Sequence, residues 1–438
     1  MTFDTIFQRN GNRLQLLFRA FRSRNYRLFV AGQSVSLVGT WMQQVAMSWL
    51  VYRLSGSALL LGIVGFTSQA PTFLLSPVAG VLADRLNRRN LLIATQALAM
   101  FQAALLAFFV LTELIQVWQI ILLSMVLGVV NAFDIPIRQA FVVELVDDRE
   151  DLGNAIALNS SMVQAARLVG PSIAGLLVAA AGEGVCFIIN SASYLAVILA
   201  LAAMRVSRTL PPPHQHRITH ELREGFRYVT RSEPIRSILL LVALFSLTGM
   251  PYAVLLPIFA NKVLHGGVHT FGFLMTAAGG GALMGTILLA TRRTVLGLGS
   301  LIARATLLFA GSIALFSQST NFYISMAALA VSGFGMMTLV ASSNTILQTI
   351  VDEDKRGRVM SFFAMAFMGM APFGSLGAGV VAKMVGVQTT VLLGAGCCLL
   401  GAWYFVRKLP SLREQIRPIY QRIGVIPDEL ATTAPKGG

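Results

Sequence analysis

Long apolar segments separated by short polar ones recur along the whole chain. A helix needs about 20 mostly apolar residues to cross the roughly 30 Å hydrocarbon core of a bilayer. Twelve segments have that length, so the pattern predicts an all-α integral membrane protein with twelve transmembrane helices. These helices are predicted at residues 27–51, 58–82, 91–112, 116–137, 155–179, 185–204, 236–261, 271–291, 298–317, 321–345, 359–382 and 388–407.

The longest polar interruption separates six apolar segments from six. Its second part repeats apolar residues at helical spacing with charged residues between them, which predicts an amphipathic helix at the membrane surface. The apolar positions of this helix are Ile218, Leu222, Phe226 and Val229. The chain therefore divides into an N-terminal segment, a six-helix bundle, a linker, a second six-helix bundle and a tail, at residues 1–26, 27–204, 205–235, 236–407 and 408–438.

The two halves also resemble each other at the ends of predicted helices four and ten. DIPIRQ, residues 134–139, closes helix four, and NTILQ, residues 344–348, closes helix ten. A charged turn follows each, VDDREDLGN in the first half and VDEDKRGRV in the second. Two six-helix repeats related by an axis along the membrane normal are the architecture of one large transporter fold. The repeat therefore predicts a transporter.

Composition and charge agree with a membrane location. Hydrophobic residues make up 55% of the chain and charged residues 12%, where soluble proteins have about 25% charged residues. Of the 34 Lys and Arg, 29 fall in the terminal segments, in the loops after even-numbered helices or at the adjoining end residue of a predicted helix. Basic residues resist translocation, so both termini are predicted in the cytoplasm, in a membrane of the bacterial inner membrane type. The net charge of +15 thus reflects topology, and no nucleic acid partner is expected.

The sequence has no catalytic or cofactor-binding pattern. No Lys is followed by Ser or Thr, so the Gly-Lys-[Ser/Thr] loop of nucleotide-binding proteins is absent. The five His lie in loops, and no acidic pair accompanies them at metal-ligand spacing. His214 and His216 could bind a metal, but solvated loop residues are the better interpretation. We therefore expect no enzyme activity, no cofactor and no metal.

The string GVLADRLNRR, residues 80–89, occupies the short turn between predicted helices two and three. Gly80 lets another helix approach closely, Asp84 suits a helix N-terminus, and the Arg residues can pair with carboxylates or lipid phosphates. The simpler alternative is a basic cytoplasmic turn. Such a turn does not require the order Gly-x-Leu-Ala-Asp-Arg.

This string resembles the signature loop of the major facilitator superfamily, and the resemblance extends over residues 24–408. It implies that Asp84 caps the start of helix eleven and that Arg88 pairs with Asp134, which locks the outward-facing state. Asn87 stands where the family usually has Gly. The implied cytoplasmic gate comprises Gly80, Asp84, Arg85, Arg88, Arg89, Asp134 and Arg138.

Predicted helix five carries a second resemblance. Its sequence keeps the centre of the exporter motif Gly-x-x-x-Gly-Pro-x-x-Gly-Gly at Gly170, Pro171 and Gly175, with Ala at two other positions. The alternative is a proline kink without directional meaning. The segments PIRQAF, LREGFRYV and RGRVMS are similar to the siderophore and drug exporter branch, typified by the enterobactin exporter.

Polar residues inside the apolar segments are candidates for the substrate path, because lipid does not tolerate them. For each one alone, a hydrogen bond between helices is the alternative. Arg167 could bind an anion or extend to the cytoplasmic surface. The neutral candidates are Gln33, Ser36, Thr40, Gln43, Gln44, Asn131, Asn159, Gln164, Asn190, Tyr252, Thr338, Ser342 and Thr345. Separately, GGGALMG at residues 279–285 predicts a tight contact between helices.

These features together favour a monomeric secondary transporter that works by alternating access. Its expected activity is export of a small amphipathic molecule, siderophore-like or drug-like, by proton antiport. Helix one has no carboxylate, so the proton site stays open among Asp134, Glu113 and Glu183. The expected partners are the small-molecule substrate, the lipid bilayer and the proton. The alternatives are a lysophospholipid or lipid translocator and a channel.

Overall fold

The computed structural model describes residues 19–146, 149–205, 218–292 and 294–422. His214 and His216 lie outside these ranges, and the side chains of residues 77, 78, 80, 81, 83–85, 149, 218–223 and 354 are not described either. The described part of the chain is 91% helical and contains no β-strand. The prediction of an all-α membrane protein is therefore confirmed.

Six long helices form the described part of the first half. They are α1 (Arg24–Ser55), α2 (Ala58–Arg85), α3 (Arg88–Leu111), α4 (Val117–Glu144), α5 (Leu152–Ala181) and α6 (Glu183–Ala203). Side-chain caps begin several of them: the Ser23 and Ser57 hydroxyls accept from backbone N–H groups in the first turns of α1 and α2. Gly56, with φ +59°, ends α1 in the left-handed conformation that glycine adopts without strain.

Within the described residues of the second half, nine α-helices follow. The linker helix is α7 (Ile218–Arg231), and the others are α8 (Glu233–Leu244), α9 (Tyr252–Ile258), α10 (Val268–Ala290), α11 (Leu298–Gln318), α12 (Phe322–Ile350), α13 (Glu353–Ala364), α14 (Ala371–Val385) and α15 (Val387–Arg422). Helix α7 covers the linker segment for which the sequence predicts an amphipathic helix at the membrane surface.

Eleven helical segments of the described chain are long and apolar enough to cross a membrane. Each overlaps one of the predicted spans, with Glu233–Val263 and Lys355–Val385 each continuing through a π turn. The predicted span at 27–51 has no counterpart among the eleven. It lies in α1, a continuous helix of 32 residues, whose Gln and Ser residues lower its hydropathy.

Two of the long segments change from α to π hydrogen bonding near their middles. The π turns at Phe245–Gly249 and Met365–Gly369 lie close together, because the Ser246 hydroxyl donates a hydrogen bond to the Phe367 carbonyl oxygen. A proline follows each turn within three residues, and proline removes an N–H from the helical ladder. Such breaks are tolerated at membrane depth when neighbouring protein satisfies the freed groups.

The contacts divide the chain into two compact units. The first contains the described residues of Met1–His214 and Val254–Gly279, and the second those of Gln215–Ala253 and Gly280–Gly438. In the first unit α1 packs against α5 and α6, and α2 packs against α4. In the second unit α11 packs against α12 and α15. Residues 254–279, which run from α9 to the middle of α10, thus belong with the first six helices.

Close backbone approaches and one carboxylate tie the second unit together. A Cβ atom on Gly281 would overlap the carbonyl oxygen of Ala330, so α10 and α12 touch through their backbones. This confirms the tight helix contact predicted for GGGALMG. At the start of α8, Glu233 accepts hydrogen bonds from Lys408 and Gln415 of α15, both at 2.7 Å.

Candidate functional site

The gate region lies where α2, α3 and α4 end or begin. Helix α3 starts at Arg88, and the Asn87 side chain caps it by accepting a hydrogen bond from the Asn90 N–H at 3.2 Å. Asn is among the best capping residues, which accounts for Asn where the resembling family usually has Gly. The Arg88 guanidinium then pairs with Glu144 at the end of α4, with Nη1 and Oε1 2.6 Å apart.

Arg89 of the same turn has a different role. Its guanidinium donates to the carbonyl oxygens of Leu201 and Ala202, at 2.7 and 2.6 Å. These carbonyls belong to the last turn of α6, where helical N–H partners run out; the Leu201 oxygen also accepts from the Met204 N–H, at 3.3 Å. The positive charge also opposes the negative end of the helix dipole. Arg89 therefore caps α6 and fixes the turn to it.

Asp134 lies in α4 and is only 5% exposed. Its Oδ1 atom accepts hydrogen bonds from the Thr95 hydroxyl at 3.0 Å and from Gln96 Nε2 at 2.7 Å. Its Oδ2 atom lies 3.5 Å from Nε of Arg138, one helical turn away. Among the described side chains, Arg88 therefore pairs with Glu144 and not with Asp134 in this structure.

Three members of this cluster, Thr95, Gln96 and Glu144, are not among the gate residues that the resemblance implies. Thr95 and Gln96 are polar positions in the apolar segment of α3, and that contrast was the available signal. Glu144 is one of only 19 acidic residues, but it lies beyond the predicted end of helix four. The Gly80, Asp84 and Arg85 side chains fall outside the description, although the backbone of α2 continues to Arg85.

The helix-five motif is a packing surface inside the first unit. A Cβ atom on Gly170 would lie 2.5 Å from the Trp41 Cβ atom, so α5 and α1 pack too closely for a side chain there. Further along α5, a Cβ atom on Gly175 would lie 3.2 Å from the Cα atom of Gly272. Pro171 is inside α5 and contributes its carbonyl oxygen to this second contact. The small residues thus permit two close helix crossings.

The polar stripe of α1 is mostly buried. Asn190 donates to Gln43 at 2.7 Å, and Gln43 donates to Gln102 at 3.0 Å, which links α6, α1 and α3. Gln102 donates in turn to the Leu123 carbonyl oxygen. For Gln43 and Asn190, hydrogen bonds between helices therefore account for the polar side chains. Of the others on α1, Gln33 and Ser36 are buried, Thr40 is half-buried and bonds to the Ser36 carbonyl oxygen, and Gln44 is exposed.

The remaining path candidates of the first unit lie on α4 and α5. Asn131 and Asn159 are half-buried, and Gln164 is buried. Arg167 is half-buried, and its guanidinium carbon lies 5.7 Å from the centre of the Trp41 ring. That distance permits a cation–π contact. Arg167 and Trp41 thus place a positive charge beside an aromatic ring where α1 and α5 meet.

The candidates of the second unit differ in how their hydroxyls are used. Thr338 and Ser342 of α12 are fully buried, and neither hydroxyl has a hydrogen-bond partner among the described residues. Thr345 donates to the Ala341 carbonyl oxygen at 2.9 Å. Tyr252 is buried, with its ring centre 6.2 Å from that of Phe309. The candidate residues for the substrate path thus occur in both units.

The structure brings together two of the motifs that the sequence singled out, LREGFRYV in α7 and RGRVMS in α13. Glu224 pairs with Arg358 at 2.8 Å, and the Tyr228 hydroxyl donates to Asp352 at 3.2 Å. The Lys355 ammonium lies 5.0 Å from the centre of the Tyr228 ring. The linker helix is therefore held on the start of the segment predicted as helix eleven.

Apolar contacts reinforce this clamp. A Cβ atom on Gly225 would lie 3.0 Å from the ring of Phe362 and 3.2 Å from Arg358. The rings of Phe226 and Phe362 have centres 6.3 Å apart, within the usual range for aromatic pairs. The glycine in LREGFRYV thus allows the close approach that the ion pair needs.

Comparison with known proteins gives the context of this site. The model of the transmembrane secretion effector family matches residues 17–421. The staphyloferrin A transporter of Staphylococcus aureus is 27% identical, over 88% of this chain and 97% of that protein. Macrolide efflux protein A of Streptococcus pyogenes is 22% identical, over 83% and 90%. A bacterial homologue of the human lysosomal transporter Spinster, solved inward-facing and unoccupied, has the same fold, with a TM-score of 0.69 at 12% identity over 87% of this chain and 95% of that one.

The clamp between α7 and α13 predicts a measurable dependence of the linker on one ion pair. Arg358→Glu places two carboxylates together, and we expect the amides of residues 218–231 to exchange about two- to fivefold faster, because a partly exposed pair contributes up to about 1 kcal/mol. Adding Glu224→Arg should restore slow exchange. Hydrogen–deuterium exchange with mass spectrometry measures this, with Arg227→Glu on the exposed side of α7 as the matched control. Equal exchange in Arg358→Glu and wild type would refute the clamp.

Proposed function

Because the chain belongs to the transmembrane secretion effector family of major facilitator transporters, we propose that it exports a small amphipathic molecule, siderophore-like or drug-like, by proton antiport and alternating access. It is a multi-pass membrane transporter and not an enzyme. The relatives named above carry a siderophore or expel macrolides. Their names support export of a small molecule over the translocation of lipids.

We place the protein in a bacterial inner membrane as a monomer with twelve spans in two bundles, 27–204 and 236–407. The twelfth span in this proposal is α1, whose 32 residues exceed the length needed to cross the hydrocarbon. Its polar side chains Gln33, Ser36 and Gln43 are buried in protein. The low hydropathy of α1 is therefore compatible with a membrane span. The distribution of Lys and Arg supports cytoplasmic termini.

The hydrogen-bonding environment of Asp134 is the observation that supports proton coupling. An ionised carboxylate only accepts hydrogen bonds, and here Thr95 and Gln96 donate to it. The Gln96 Oε1 atom is buried and has no hydrogen-bond partner among the described residues. Rotation of the Gln96 amide by half a turn would present this oxygen to Asp134, where it could accept the proton of a neutral carboxylic acid. The same pocket thus suits both protonation states.

The other acidic candidates are less suited to carrying a proton. Glu183 is 5% exposed, but both of its oxygens are bound by Arg53, at 2.8 and 3.2 Å. This two-pronged pair occupies both carboxylate oxygens, so neither is open to a proton from the substrate path. Glu113 is exposed in the turn after α3. It is therefore not packed against helices that could respond to its protonation. Asp134 is therefore the group we assign.

For alternating access, we propose that Arg88 changes partner. It pairs with Glu144 in this structure, and the family resemblance implies a pair with Asp134 in the outward-facing state. Protonation of Asp134 would remove the attraction for Arg88 and favour the pair with Glu144. Coupling between proton and gate would then need only one Arg and two carboxylates.

Transport in inverted membrane vesicles tests the proposed function. Staphyloferrin A loaded with radioactive iron, a radiolabelled macrolide and a lipophilic dye are offered with and without an imposed proton gradient. We expect at least one of these probes to accumulate only when the vesicle interior is acidic. Accumulation independent of the gradient would contradict antiport, and movement of a fluorescent lysophospholipid alone would support lipid translocation instead.

Asp134→Asn should separate proton coupling from substrate movement. The amide cannot release a proton, so gradient-driven accumulation is expected to fall at least tenfold, whereas exchange of labelled for unlabelled substrate across the membrane continues. Glu113→Gln makes the same chemical change at an exposed position and serves as the control. Gradient-driven transport at the wild-type rate in Asp134→Asn would exclude Asp134 as the proton site.

Two charge exchanges test the partner change of Arg88. Arg88→Glu and Glu144→Arg should each slow export about tenfold, the size expected for losing a charged hydrogen bond of about 1.5 kcal/mol, and the double variant should recover part of it. Arg88→Asp combined with Asp134→Arg should also recover some substrate exchange. Recovery in the first double variant alone would mean that Arg88 never pairs with Asp134.

A further inference from the structure

Tyr194 of α6 is a buried titratable residue that the mechanism proposed above does not use. Its side chain is 5% exposed and shares a buried apolar cluster with Ala99 of α3 and Val130 of α4. Ala99 follows Thr95 by one helical turn, so the two lie on the same face of α3. Val130 precedes Asp134 by one turn and lies on the same face of α4. Tyr194 thus lies one turn away from the Asp134 site, between the same two helices.

The hydroxyl of Tyr194 connects this position to α1. The Asn190 Nδ2 atom donates to the hydroxyl oxygen at 3.4 Å and to Gln43 Oε1 at 2.7 Å. Tyr194 also shares a hydrogen bond with the Thr40 hydroxyl. A hydroxyl has a single proton, and Thr40 directs its own to the Ser36 carbonyl oxygen at 2.9 Å. Tyr194 is therefore the donor to Thr40, and its hydroxyl both accepts and donates.

Two charged groups of α4, Asp134 and Arg138, act on Tyr194 electrostatically. Within the described chain, α1, α3 and α6 contribute no charge that does so. While Asp134 is ionised, its charge opposes that of Arg138. Once Asp134 is protonated, the positive charge of Arg138 acts alone, and such a charge is weakly screened inside a protein. The Tyr194 hydroxyl, whose proton rotates to suit its surroundings, thus experiences a different field in each protonation state of Asp134.

We propose that Tyr194 is a positioning residue for proton coupling, which passes the change of charge at Asp134 to the polar residues of α1. Its hydroxyl reorients when the carboxylate takes up a proton, and its hydrogen bonds to Thr40 and Asn190 change at the same time. Asn190 also binds Gln43, so the change reaches two candidates for the substrate path. The inference rests on the proposed function, in which Asp134 carries the proton.

Infrared difference spectroscopy of the full-length protein in lipid nanodiscs tests this inference, with the proton as the only ligand. Spectra at neutral and acidic pH are subtracted, which isolates the groups that change on acidification. We expect the wild-type difference to contain a carboxylic-acid component and a tyrosine C–O band, both of which Asp134→Asn removes. Tyr194→Phe should lose the tyrosine band and retain the carboxylic-acid component. Thr40→Val should shift the tyrosine band, because Tyr194 then lacks this acceptor.

Tyr26→Phe is the matched control, because Tyr26 is fully buried in the same unit and its hydroxyl donates to the Ala155 carbonyl oxygen at 2.9 Å. This variant should retain both signals. A tyrosine band that persists in Tyr194→Phe, or a wild-type spectrum with the Asp134 component and no tyrosine band, would overturn the inference and leave the proton site intact. A wild-type spectrum without the Asp134 component would contradict the proposed function and the inference together. Size-exclusion chromatography confirms that each variant is folded.

Discussion

Hydrocarbon offers no hydrogen-bond partner, and most of the polar structure in this protein follows from that constraint. Gln43, Gln102 and Asn190 bind one another across three helices. Many Ser and Thr hydroxyls return to a carbonyl of their own helix, as Thr345 does. The same constraint makes a buried carboxylate expensive. Asp134 persists at membrane depth because two neighbouring side chains on α3 donate to it.

At a few positions the constraint is not met, and these include residues of the substrate path that we propose. The hydroxyls of Thr338, Ser342 and Ser343 on α12 are buried without partners among the described residues. Leaving such a group unsatisfied costs about 1–3 kcal/mol, which substrate or water in the transport path could recover. The Gln96 oxygen is a further example beside Asp134. Unsatisfied groups thus accompany the candidate positions in both units.

The sequence predicts the helices well because their signal is local. A run of apolar residues identifies a span without knowledge of its neighbours, and eleven of the predicted spans have structural counterparts. The partners of Arg88 and Asp134 could not be predicted in this way. Glu144 is ten residues beyond Asp134 on the same helix, so its approach to Arg88 depends on the continuation of α4 past its apolar segment and on how α3 packs against it. The resemblance implies a different pair, Arg88 with Asp134, for the outward-facing state.

The hydrogen bonds of Glu233 have an evolutionary consequence. One carboxylate at the first residue of α8 binds Lys408 and Gln415, which lie two turns apart on α15. A neutral residue at 233 would leave an ammonium group and an amide to find new partners at once. Homologous chains should therefore vary at positions 233, 408 and 415 together, whereas a single exposed ion pair would drift freely. Aligned relatives carry this record independently of what each transports.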